Sequence, residues 1–123
     1  MAKIEKFEDI QAWQKARELV SSIYEITARG DFAKDYSLKE QIRRAAVSIM
    51  SNIAEGFSRQ TDKEFAQFLH VAKGSVSEVE SQLYVALDLK YISEVAFREL
   101  YELSEETIRL ISGFIKYLRK TDQ

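Results

Sequence analysis

Apolar residues recur at intervals of three and four along four long stretches of the chain, the spacing that gathers them on one side of an α-helix. The first stretch predicts a helix over about 9–28. Ile10, Trp13, Ala16, Val20, Ile23 and Thr27 share its face, widened by Leu19 and Ile26, with Asp9 as the expected N-cap and Gly30 as the stop. Asp31 to Tyr36 reads as a connection that Phe32 and Tyr36 pack down. The second helix, about 37–56, opens on the S-x-x-E capping box Ser37-Leu38-Lys39-Glu40, carries Leu38, Ile42, Ala45, Ile49 and Ile53 on its core face, and closes at Gly56. The third, about 61–88, opens on a second capping box, Thr61-Asp62-Lys63-Glu64. Its apolar positions Phe65, Leu69, Ala72, Val76, Val79, Leu83 and Ala86 step alternately by four and three, the period of a left-handed bundle seam. The fourth, about 93–119, is capped by Ser93 and repeats the seam through Phe97, Leu100, Ser104, Thr107, Ile111, Phe114 and Leu118, two polar members included. Four long helices with short connections predict an all-α fold, an antiparallel up-down-up-down four-helix bundle, as one domain over 1–123.

Two helices depart from the simple apolar-in, polar-out pattern. On the second, Gln41, Arg44, Ser48, Asn52, Glu55 and Arg59 fall within a stripe roughly 80° wide at 100° per residue. Most of the rest of that wheel is apolar, with Arg43 inside the apolar arc. A solvated face usually carries long, mixed Lys and Glu; this stripe has two small hydrogen-bonding residues at its centre. On the third helix, Ala66, Phe68, Val71 and Gly74 are apolar outside the seam, so this helix needs cover on more than one side. Two helices of its own bundle would supply it, or a subunit contact through Phe68, Val71 and Gly74. Gly74 costs roughly 1 kcal/mol relative to Ala in mid-helix, and close approach of another helix is the expected reason for it.

Composition narrows the chemistry. No proline and only four glycines in 123 residues is a poor composition for a turn-rich β protein and a good one for long helices. The absence of cysteine removes disulfide and thiol chemistry and favours an intracellular, cytoplasmic setting. The first eight residues lack the apolar core of a signal peptide, and no run spans a bilayer, so no membrane partner is expected. A net charge of -2 rules out a global basic field but not a local patch. The single histidine, His70, has Gln67 three residues before it, so the Glu-x-x-His motif of di-metal bundles is missing, and neither a metal nor a cofactor is expected. No Arg precedes His70 closely, as in the helical ribonucleases of toxin pairs, and there is no phosphate-binding loop or dinucleotide fingerprint. Glu55, Glu78 and Glu80 could pair for acid–base work, but helical carboxylates are mostly solvated, and no catalytic residue is assigned.

The polar stripe has a structural reading: Glu80, at the edge of the third helix's seam, is placed to accept a bidentate bond from Arg44, or from Arg43, in a network that selects helix pairing. It also has functional readings as a homo-oligomer interface or a ligand surface. Arg43, Arg44 and Arg59, with Lys39 and Lys63, give this end a local positive balance suited to RNA phosphates, although aromatic interleaving looks weak.

The segments Phe7-Glu8-Asp9-Ile10, Trp13-Gln14-Lys15-Ala16, Gln41 through Ile49 and Ser51-Asn52-Ile53-Ala54-Glu55-Gly56-Phe57 resemble the four-helix-bundle proteins encoded in intervening sequences of bacterial 23S ribosomal RNA genes. Lys63-Glu64-Phe65, Phe68-Leu69, Gly74-Ser75, Glu78 through Leu83 and Tyr91-Ile92-Ser93 continue the resemblance over nearly the whole chain. It implies a ring-like homopentamer, often labelled ribosomal, without enzymatic activity. The family is also similar to accessory proteins of diversity-generating retroelements, thought to bind nucleic acid and a reverse transcriptase. Two positions depart from the family pattern. Met50 stands where Pro is common, which puts a kink in the second helix in doubt; Lys90 stands where Gly is frequent, so the third helix is expected to be capped differently. Sequence alone thus supports a non-enzymatic oligomeric scaffold associated with RNA or an RNA-bound protein. The alternative is an interaction module without nucleic-acid contact.

Overall fold

The computed structural model of the protein describes residues 4–121. It is all-helical, with no strand among the described residues: α1 spans Gln11–Thr27, α2 Tyr36–Phe57, α3 Asp62–Asp88 and α4 Glu94–Thr121. Single turns of 3-10 helix at Phe7–Asp9 and Phe32–Lys34 precede α1 and α2. Each helix packs on two others, α1 on α2 and α4, and α3 on α2 and α4, which makes a four-helix bundle around one apolar core. Every seam position of α3 and every core-face position of α2 predicted from periodicity is buried. On α4 the two polar seam members are buried too, and each hydroxyl donates to the carbonyl one turn back, Ser104 to Leu100 at 2.9 Å and Thr107 to Leu103 at 2.8 Å. A buried hydroxyl so satisfied avoids the desolvation penalty of an orphaned one.

The helix ends correct several expectations. Asp9 does not cap α1; it lies in the 3-10 turn, and Ile10 occupies the cap position without a side-chain bond. Ser37 does not cap α2 either. Asp35 takes that role, its Oδ1 accepting from Leu38 N at 3.1 Å, and Ser37 sits in the first turn, where its hydroxyl accepts from Gln41 Nε2 at 3.1 Å. The second Asp35 oxygen accepts from the Tyr91 hydroxyl at 2.9 Å, and the bond holds that phenol above its usual range. Thr61 and Ser93 cap α3 and α4 as predicted, accepting from Glu64 N and Ala96 N at 3.1 Å each.

α2 ends at Phe57, one residue past the predicted Gly56, with Ser58 rather than the glycine as its C-cap. Gly56 is buried where α3 crosses: a β-carbon there would lie 2.8 Å from both Phe65 Cδ1 and Phe68 Cβ. Gly74, expected to mark a close approach, is the opposite case, with nothing within 4 Å of its β-position in this chain. Lys90 adopts φ 62°, while Lys90 N donates to Leu87 O at 3.0 Å and Tyr91 N to Ala86 O at 2.9 Å. That pair of bonds is the Schellman motif, which glycine normally closes, so α3 ends by the ordinary device with an unusual residue in it. Met50 lies within an unbroken α2.

Candidate functional site

The polar stripe of α2 divides into separate pieces. At its centre, Ser48 Oγ and Ser75 Oγ of α3 are 3.1 Å apart, and Asn52 Nδ2 donates back to Ser48 O at 2.8 Å and Ser48 Oγ at 3.0 Å. The serine pair joins α2 to α3, and Asn52 braces Ser48 from within α2. At the far end, Glu55 and Arg59 form an ion pair at 2.9 Å, and the Arg59 guanidinium lies 4.7 Å from the centroid of Phe68. Phe68 is therefore partly covered within its own chain, whereas Val71, one turn along α3, is 55% exposed beside the open Gly74.

Neither arginine reaches Glu80. Arg43 turns instead toward α1. Its Nε donates to Thr27 Oγ1 at 2.8 Å, its Nη2 to Tyr24 O at 3.2 Å, and its guanidinium carbon lies 4.2 Å from the Tyr24 ring centroid. Thr27, fully buried, donates its own hydroxyl hydrogen bond to Ile23 O at 2.7 Å. Glu80 faces α4. Burial first, and then the neighbouring Glu105, push its carboxyl up to about 8, and the charge of Glu80 is the leading cause that raises the phenol of Tyr101 beside it. The other two carboxylates considered for pairing do not join it: Glu55 is bound to Arg59, and Glu78 is exposed. His70 is exposed on α3, and no group of three His, Cys, Asp or Glu among the described residues could hold a metal ion.

What the structure does assemble is a basic and aromatic cleft between α1 and the start of α2. It is open to solvent, has a volume of about 710 Å³, and is lined by Tyr24, Tyr36, Lys39, Glu40, Arg43, Arg44 and Val47. Three cations face one carboxylate. Tyr36 does not pack the connection down as expected; it is 72% exposed, with Lys39 Nζ 5.4 Å from its ring centroid. Tyr24 is 42% exposed and shares its ring with Arg43. Arg44 is exposed and makes no hydrogen bond or ion pair among the described residues. Two exposed tyrosines thus stand among the cations of this cleft. Tyr36 lies at the start of α2, on the same helix as the three cations, and packing of α1 on α2 brings Tyr24 to Arg43.

Comparison with known proteins agrees with this fold. The sequence pattern of the family described as 23S rRNA-intervening sequence protein matches residues 8–113. A crystal structure of a protein of unknown function from the S23 ribosomal protein family of Bacteroides thetaiotaomicron superposes with a TM-score of 0.77 at 25% identity, covering 85% of this chain and 98% of that one. No curated protein matches the chain. No helix among the described residues is long and apolar enough to cross a membrane.

Proposed function

Because the chain belongs to the 23S rRNA-intervening sequence protein family, we propose that it is a non-enzymatic scaffold of the bacterial cytoplasm that assembles with copies of itself and presents the α1–α2 cleft to RNA. The observation that carries the reading is that cleft: Lys39, Arg43 and Arg44 with two exposed tyrosines against a single carboxylate. Cations supply phosphate contacts, and tyrosine rings supply stacking surfaces for bases. The local patch is compatible with a chain of net charge -2, because only the field at the contact matters at physiological ionic strength.

The bundle in this reading runs up-down-up-down, supported by the short connections and by the pairing of Phe65 with Phe114 and of Tyr84 with Tyr101 between α3 and α4. Self-assembly, as a pentamer, would use the outer face of α3. Val71 is exposed there, and Gly74 leaves room for a second backbone.

A binding titration with structured and single-stranded RNA across a salt series tests the RNA half. Affinity falls steeply with salt, and Arg44→Ala weakens it at every salt concentration. Absence of binding at low salt leaves an interaction module without nucleic-acid contact. Light scattering after gel filtration tests assembly, and a monomer at micromolar concentration refutes it.

A further inference from the structure

The cleft also carries information about which form of RNA it suits, an inference that rests on the RNA reading above. Its cations are not equivalent. Arg43 is held by Thr27 and by the Tyr24 carbonyl at 2.8 and 3.2 Å and lies over the Tyr24 ring, so its guanidinium fixes that ring in place. Arg44 is uncommitted, and Lys39 is held by a long bond of 3.4 Å to Ala33 O and lies 5.4 Å from the Tyr36 ring centroid. Lys39 thus lies against Tyr36, whose ring is the most exposed of the large hydrophobic side chains among the described residues, and Arg44 lines the same cleft.

A base already stacked inside a duplex offers a protein no ring face, and side chains cannot enter the deep, narrow major groove of A-form RNA; a duplex is met through its phosphates and the 2′-hydroxyls of its shallow minor groove, not by stacking on tyrosine. An unpaired base can stack on tyrosine while its phosphate meets Arg or Lys. We propose that the α1–α2 cleft selects unpaired RNA, one base stacking on Tyr36 and its phosphate held between Lys39 and Arg44.

The test is fluorescence anisotropy at low salt with a labelled RNA strand, alone and annealed to its complement. Wild type, Tyr36→Ala, Tyr36→Phe and Arg44→Gln are compared, with circular dichroism to confirm folding. The single strand binds more tightly than the duplex. Tyr36→Ala weakens single-strand binding about tenfold, within the range of one lost stacking contact, and leaves duplex binding unchanged. Tyr36→Phe retains the preference because the ring, not the hydroxyl, stacks. Arg44→Gln weakens both forms, since both present phosphates. Equal binding of the two forms, or Tyr36→Ala acting on both or on neither, overturns the single-strand inference while leaving RNA association standing. Loss of all binding in the wild type overturns both.

Discussion

The three helical glycines of this chain permit a controlled experiment on packing. Replacing a mid-helix glycine by alanine gains about 0.8–1.0 kcal/mol from helix propensity alone. Gly113 on α4 has nothing within 4 Å of its β-position, so Gly113→Ala should realise most of that gain. Gly56 faces the opposite balance. Its new methyl would sit 2.8 Å from Phe68 Cβ and from Phe65 Cδ1, and 3.2 Å from Phe65 O. A ring carbon can swing aside, but a β-carbon and a carbonyl oxygen are fixed to the α3 backbone, so the two helices must part. Overpacking of that kind costs typically 1–3 kcal/mol. The net expectation for Gly56→Ala is a loss of about 1 kcal/mol, and the gap between the two variants is about 2 kcal/mol. Thermal unfolding followed by circular dichroism, at one fixed protein concentration because association shifts the midpoint, should separate them by several degrees. Equal midpoints, or Gly56→Ala above the parent, would refute the close approach of α2 and α3. Gly74→Ala completes the set. Its β-position is as open as that of Gly113, so the isolated chain should gain stability, whereas a backbone from a second copy seated there would make the same substitution weaken assembly in gel filtration.

Two further substitutions address the helix ends and the carboxyl pair. Lys90 holds φ 62°, which costs a non-glycine residue roughly 1–2 kcal/mol, so Lys90→Gly should raise the unfolding free energy by about 1 kcal/mol in urea titrations; an unchanged midpoint contradicts the assignment. Glu80, raised to about 8 from 4.5, holds a proton in the folded state that the unfolded chain has released, so stability is complete below pH about 4.5 and declines as pH rises toward about 8. Glu80→Gln removes that decline. It should match the parent near pH about 4 and exceed it above pH about 8 by on the order of 1 kcal/mol, a figure discounted for solvent screening of a partly exposed pair, and parallel pH profiles of the two proteins would sink the idea.

The core is legible in the sequence because burial and helical period are the same signal: every position of the α3 seam from Phe65 to Ala86 follows from spacing alone. Caps were less so. Asp35 and Ser37 are both good capping types two positions apart, and what favours Asp35 is Tyr91, a partner 56 residues away that no local pattern includes. The polar stripe failed for a related reason. A helical wheel gives the angle at which Arg43 and Glu80 leave their helices but not which neighbour they meet; Arg43 met Thr27 on α1, and Glu80 met Glu105 on α4. Tyr36 reads from sequence as a packing residue and Tyr24 carries no signal, because their place in one cleft, each against a different cation, follows from how α1 meets α2.

The Asp35–Tyr91 bond has a kinetic consequence. It closes a loop containing all of α2 and α3, and loop-closure entropy makes so distant a contact unfavourable until those helices have paired. It therefore belongs to the late, downhill side of the folding barrier. Removing it with Tyr91→Phe should leave the refolding rate nearly unchanged and accelerate unfolding, so that one hydroxyl governs how long the native protein persists rather than how fast it forms.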